Sequence, residues 1–213
     1  DVDTVTDANG NAKTIDSWEE TLEVTSALAN SPYETIVLDA IGGFERLCHE
    51  LVCARDYKKK WGDDGFTSFQ KGYDTSITDW LMLLARLDTL KASGKRIILL
   101  SHSQVKPFKN PLGADYDRFV ADCHAKTWAA TCKWADMVLF GTFETIIEVG
   151  RETGNIAKDK GKSIGGTQRI LYAEQRDAFT AKNRAGMPPL VIIPNDPALS
   201  WKTINAAITG QEI

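Results

Sequence analysis

Two short apolar runs constrain this chain more than any other feature. Thr35-Ile36-Val37-Leu38 closes on Asp39, and Arg96-Ile97-Ile98-Leu99-Leu100 closes on Ser101. Continuous runs of branched residues suit strands buried on both faces of a parallel sheet. Around them the apolar period changes from strand to helix. Asp16 predicts a helix start, with Glu19 three residues on and Trp18, Leu22 and Ala29 along one face. Helical spacing returns from about Gly43 to Lys59. It is clearest from Thr75 to Ala92, where Ile77, Trp80, Leu81, Leu84 and Leu87 recur before Gly94 stops the helix.

The remaining segments continue the alternation. Val2–Val5 reads as a short strand before a turn at Asn9-Gly10-Asn11. Residues 105–115 read as a Pro/Gly loop and Asp117–Trp134 as a further helix. Met137–Gly141, Thr145–Val149, Arg169–Glu174 and Leu190–Ile193 read as strands, residues 151–167 as a hairpin tip, and Ile204 falls in a closing helix. This order predicts an α/β fold: a mostly parallel sheet flanked by helices, with a β-hairpin region towards the C-terminus. A length of 213 residues predicts one domain.

Composition removes several classes. With 43% hydrophobic and 25% charged residues the chain can bury a core, so intrinsic disorder is excluded. No apolar run approaches the roughly 20 residues of a membrane span, and the acidic first thirty residues lack the apolar segment of a secretory signal. Four cysteines in no CxxC pair predict a reduced, cytoplasmic setting, which is the host cytoplasm if a phage encodes the chain. Cys48-His49 and Cys123-His124 invite a zinc reading. Cys48 and Cys53, five apart on a helix, point to different faces, so buried free thiols are expected instead. Charge is uneven. Residues 1–50 carry a balance of −9 and residues 151–184 one of +4, a basic stretch that suits either an anion or plain solvent.

Chemistry is expected beyond the carboxyl ends of the strands, where open α/β sheets bind ligands. An apolar strand ending in a carboxylate, as at Asp39, is the pattern that holds Mg²⁺ beside nucleotide phosphates; an Asp there also serves as a simple cap. After the second run come Ser101-His102-Ser103-Gln104. A His or Gln in that place can sense a terminal phosphate or orient a water. A serine hydrolase is the rival, but the chain has no G-x-S-x-G elbow. No phosphate-binding loop G-x-x-x-x-G-K-[ST] occurs either. Gly161-Lys162-Ser163 is preceded by Ile156 where a glycine is needed, and Gly94-Lys95 by Thr89. Lys182 and Arg184, two apart in Ala181-Lys182-Asn183-Arg184, would project to one side of an extended segment and could grip a phosphate.

Thr35–Asp39, Arg96–Gln104, Asp115-Tyr116-Asp117-Arg118, the segment Trp134–Phe140 and Ala181–Arg184 together resemble the phage-type nucleotide-binding proteins of the RecA-like P-loop superfamily. These are ATPases of single-strand DNA recombination and annealing, and the resemblance runs from about Val2 to Pro188. It implies ATP and Mg²⁺ as cofactors, Asp39 as the Walker B carboxylate and metal ligand, and Gln104 as the polar sensor, with Ser101 and His102 beside it. It also implies that Lys182 and Arg184 reach a neighbouring subunit's ATP site, which requires a homo-oligomer. The family's Gly-rich loop and the strand after it are expected before Val2, so catalysis would need a segment upstream of the sequence read here. A module that keeps the fold and binds DNA or assembles without hydrolysing nucleotide is the alternative.

Single-stranded DNA is the implied partner. The loops that follow the Walker B helix and the sensor strand in RecA-like proteins correspond to Arg55–Tyr73, with Lys58, Lys59, Lys60, Trp61, Phe66, Phe69 and Lys71, and to Lys106, Phe108 and Lys109. Cations neutralise phosphates and aromatics stack on bases. The competing reading is a solvated helix end with its aromatics folded onto the core.

Overall fold

The computed structural model describes residue 6 and residues 13–144, 147–148, 162–163 and 166–211. The strand read at Val2–Val5, the turn at Asn9-Gly10-Asn11 and most of the hairpin tip at 151–167 lie outside the described residues. Where the sequence predicts one domain, the backbone divides into two compact units, Asp1–Gln104 with Ala121–Trp134, and Val105–Val120 with Ala135–Ile213.

The first unit holds helix α1 (Trp18–Ala27), strand β1 (Thr35–Leu38), helices α2 (Ile41–Asp56) and α3 (Lys71–Ala92), strand β2 (Arg96–Leu99) and helix α4 (Ala125–Trp134). The cap of α1 sits one residue later than the sequence reading placed it. Ser17 accepts from Glu20 N, and the Glu20 carboxylate accepts from Asp16 N. Ser-x-x-Glu is the better box because both partners sit in reach of free amide groups at the helix start. Helix α3 begins four residues before Thr75, and its buried stripe runs through Ser76, Trp80, Leu83, Leu84, Leu87 and Leu90. Leu81 falls on the flank of that stripe and is exposed. Trp80 stacks on Trp18 with centroids 5.9 Å apart and donates from its indole to Thr131 Oγ1 at 2.9 Å, tying α3 to α1 and α4. Each fully buried side chain of this stripe contributes about 1.5–3 kcal/mol of transfer free energy.

β1 and β2 form the expected parallel pair, Leu38 opposite Leu99. They are not buried on both faces. Ile36 and Leu38 enter the core, whereas Val37 is 51% exposed, because the helices of this unit cover one face of the pair.

In the second unit the mostly parallel sheet gives way to antiparallel pairs. Residues 105–115 and the start of the helix expected at Asp117–Trp134 form a hairpin of β3 (Ser103–Phe108) and β4 (Tyr116–Ala121), whose base lies in the first unit. The expected strand at 137–141 splits into β5 (Met137–Val138) and β6 (Phe140–Phe143). After them come β7 (Ile147–Glu148), β8 (Lys162–Ser163), β9 (Arg169–Tyr172), β10 (Lys182–Asn183), β11 (Leu190–Ile193) and helix α5 (Pro197–Thr209). β11, β9 and β6 make one antiparallel sheet, β10 pairs with β5, and β7 with β8. Parallel pairing needs a long crossover, usually a helix, and no helix lies between Tyr172 and Leu190. Asp196 caps α5 by accepting from Ala198 N, and Gly210 ends it at φ 69°. Among the described residues no helix is long and apolar enough to cross a membrane.

Candidate functional site

The parallel register sets Asp39 and Ser101 at adjacent strand ends. Leu100 N donates to Leu38 O at 2.9 Å, and Ile41 N to Leu100 O at 2.8 Å, so the turn after β1 is fastened to the end of β2. Asp39 is exposed, and its carboxylate makes no hydrogen bond or ion pair among the described residues. The Asp39–Ala40 peptide is cis, and Ala40 caps α2 without a side-chain hydrogen bond. No acid stands in the first turn of α2, so the positive end of the helix dipole adjoins Asp39.

Asp122 joins the two strand ends. Its backbone N donates to His102 O at 2.8 Å, and its carbonyl comes so close to Gly42 in α2 that a Cβ there would stand 2.8 Å from it. Its carboxylate accepts from Gln104 Nε2 at 3.0 Å. A carboxylate only accepts, so the Gln104 amide nitrogen faces Asp122, and Oε1 remains as an acceptor without a partner among the described residues. Ser101 Oγ donates to His102 O at 2.9 Å, and the His102 side chain is exposed. Ser101 and His102 thus follow the end of β2, next to the end of β1 that Asp39 closes, and Gln104 is linked to them through Asp122. Asp122 was not singled out in the sequence, although Phe119-Val120-Ala121 closes on it in the same apolar-run-to-carboxylate pattern as Leu38 on Asp39.

A polar cluster built on buried Glu45 and His49 supports this end of the unit. Glu45 of α2 accepts twice from His124 N, at 2.9 and 3.0 Å, where α4 begins. His124 Nδ1 accepts from Lys126 N, so Nε2 carries the ring proton and donates to Gln70 Oε1 at 3.3 Å. Burial, reinforced by His124 and opposed by Glu45, pulls the pKa of His49 below its ordinary value. Burial, with help from Asp79 and Glu45, pushes the Cys48 thiol up to about 12. Cys48 and Cys53 pack in separate apolar clusters.

Mg²⁺ suits what is present. It takes one or two carboxylates and completes its shell with phosphate oxygens and water. Asp39 offers one unencumbered carboxylate, and among the described residues no three His, Cys, Asp or Glu side chains gather as a protein cage.

Lys182 and Arg184 lie in the second unit. Only Lys182 and Asn183 are strand, and Lys182 Nζ donates to Ala135 O at 2.5 Å instead of projecting with Arg184. Arg184 is exposed, 3.9 Å from Asp136. Asn183 shapes the turn by accepting from Ala185 N and Met187 N and donating to Met187 O. In the same unit Asp115 accepts from Asn110 N and Lys109, while Arg118 donates to Thr180 and lies 5.2 Å from the Phe108 ring centroid. Lys106 is exposed, and Phe108 packs on Tyr116.

Of the first-unit residues read as DNA contacts, Lys58 and Lys59 are exposed on left-handed backbone, φ 53° and 63°, with no ion pair among the described residues. Lys60 pairs with Asp64 at 2.9 Å. Trp61 borders a shallow cleft of about 230 Å³ with Lys59, Glu50, Cys53 and Ala54. Lys71 lies over the Phe69 ring.

No curated protein and no solved structure matches the chain. The family model described as an AAA domain matches residues 1–185. Its span takes in β1, β2 and the polar groups at their carboxyl ends, and the chain belongs to this P-loop AAA-type, ATPase-like family.

Proposed function

We propose that this chain is the ATP-binding and ATP-hydrolysing core of a phage-type DNA recombination protein, acting in the cytoplasm as a homo-oligomer on single-stranded DNA. The observation that supports the reading is the parallel pairing of β1 and β2, which ends with exposed Asp39 on one strand and Ser101-His102 following the other. Asp39 holds Mg²⁺, which when bound neutralises charge on the ATP phosphates. Gln104, fixed through Nε2 by Asp122, keeps Oε1 to accept from the attacking water. Ser101 and His102 line the phosphate side. Arg184, with Lys182 behind it, reaches a neighbouring subunit's ATP site and offsets charge on the transferring phosphoryl group. Lys58, Lys59, Lys60, Trp61 and Lys71, and separately Lys106, Phe108 and Lys109, contact DNA.

A second reading has its own support. Exposed Lys58 and Lys59, with no ion pair among the described residues, serve a DNA-binding or assembly module without turnover equally well. ATP hydrolysis by the full-length protein of the native reading frame, with and without single-stranded DNA, separates the two. Under the first reading hydrolysis is present and Asp39→Asn removes it while the protein stays folded. Absence of hydrolysis by the wild type under both conditions selects the second.

A further inference from the structure

The loop between α2 and α3 carries four aromatic side chains, Tyr57, Trp61, Phe66 and Phe69, and the fold uses them differently. Phe66 is fully buried (0% exposed), ringed by His49, Tyr57, Trp61 and Tyr73 at 4.9–5.6 Å. Trp61 is 44% exposed and leans on Phe66. Phe69 is 90% exposed, and the ammonium of Lys71 lies 5.9 Å from its ring centroid.

The backbone that presents Phe69 is costly. Phe69 has φ 48° and ψ 31°, and Gln70 follows at φ 62°. Two successive left-handed non-glycine residues, one of them bulky, persist only where the surroundings over-determine them. Here they do. Phe66 N donates to Lys60 O, Thr67 N and Oγ1 to Trp61 O, and Gly72 N to Phe66 O, at 2.8–3.1 Å. At Gly72 a Cβ would stand 2.4 Å from Phe66, so the loop closes on its buried ring with no slack. Gln70 is tied to His124 on α4. Phe69 is therefore an aromatic plane held out into water between fixed points, next to Lys71 and on the loop that also carries the exposed Lys58 and Lys59.

We propose that Phe69 is a base-stacking residue for single-stranded nucleic acid, pre-organised by this loop, with the neighbouring lysines on the phosphates. The inference rests on the DNA-binding reading above. It adds which aromatic does the stacking and why the ligand must be single-stranded: a duplex keeps its base faces covered, whereas splayed bases offer theirs to a ring.

The test is fluorescence anisotropy of the full-length protein with a labelled oligothymidylate and with a duplex, across a salt series. The variants are Phe69→Ala, Phe69→Gly and Phe69→Trp. Glycine suits the left-handed backbone, so Phe69→Gly keeps or raises thermal stability and separates lost stacking from lost folding. Expected are preference for the oligothymidylate, about 5- to 150-fold weaker binding by the Ala and Gly variants, and an unchanged salt slope, since phosphate contacts remain. Phe69→Trp retains affinity, with its added fluorescence quenched on binding. Wild-type-like affinity of the Ala and Gly variants overturns the assignment and leaves DNA binding standing. A wild type that binds no oligothymidylate overturns the DNA-binding reading and this inference together. Dissociation of an oligomer by Phe69→Ala in light scattering assigns the ring to a protein contact and overturns the proposal.

Discussion

Removing Arg55 tests how the helix that follows Asp39 is held in place. Arg55, at the end of α2, donates from Nη1 and Nη2 to the two carboxylate oxygens of Asp79 on α3, at 2.8 and 2.9 Å. The Asp79 side chain is 8% exposed and the Arg55 side chain 45%. A fully exposed pair contributes about 0.2–1 kcal/mol, and breaking a fully buried one costs about 3–5 kcal/mol. This pair is buried at one end only. The cost of Arg55→Ala is then mainly that of an enclosed carboxylate left without its two charged donors, about 2 kcal/mol. For a chain of this length that lowers Tm by about 4–8 °C. Arg55 also bonds Asp56, a contact at the surface, so Asp56→Ala should cost under about 0.5 kcal/mol. Urea unfolding followed by tryptophan fluorescence, on Arg55→Ala, Asp79→Ala and the double variant, isolates the pair, since Trp18 and Trp80 sit in the same core. A coupling of about 1–2 kcal/mol is expected. A coupling below about 0.5 kcal/mol, the value of a solvated surface pair, would refute the reasoning.

Burial holds the pKa of His49 below its ordinary value, so the unfolded chain takes up a proton first as pH falls. The stability this group contributes is complete above about pH 6.5 and declines as pH drops below it. His49→Phe, which keeps a ring against Phe66 and Tyr73, should flatten that part of the stability–pH curve, and an unaltered curve counts against the assignment. Cys48 and Cys53 are buried with raised thiol pKa values. Native protein should leave both unmodified by a disulfide reagent until urea is added, and rapid native labelling at either, read by peptide mass, contradicts their placement. Arg184 is exposed, with a 3.9 Å approach to Asp136, so Arg184→Ala should cost under about 0.5 kcal/mol in stability. In the full-length protein it should abolish ATP hydrolysis with ATP affinity nearly intact. Equal loss of binding and turnover would give Arg184 a role within its own subunit.

The sequence by itself determined the local periods. The branched runs at 35–38 and 96–99 are strands and the stripe through Trp80, Leu84 and Leu87 is a buried helix face. Gly94 ends that helix at φ 85°, and the polar residues that could meet a nucleotide stand where β1 and β2 finish. These features depend on neighbours a few positions away, and composition records them. Tertiary structure decided what depends on distant partners. Asp117–Ala121 reads as the start of a helix because its aromatic and apolar residues fit either period; pairing with β3 makes it part of a strand and delivers Asp122 to Gln104. Lys182 looked free to project until Ala135 supplied a carbonyl for it. Phe66 and Phe69 are the same residue type three positions apart. Packing closed one inside a ring of aromatics and left the other in water, because only the fold fixes which side chain finds a pocket.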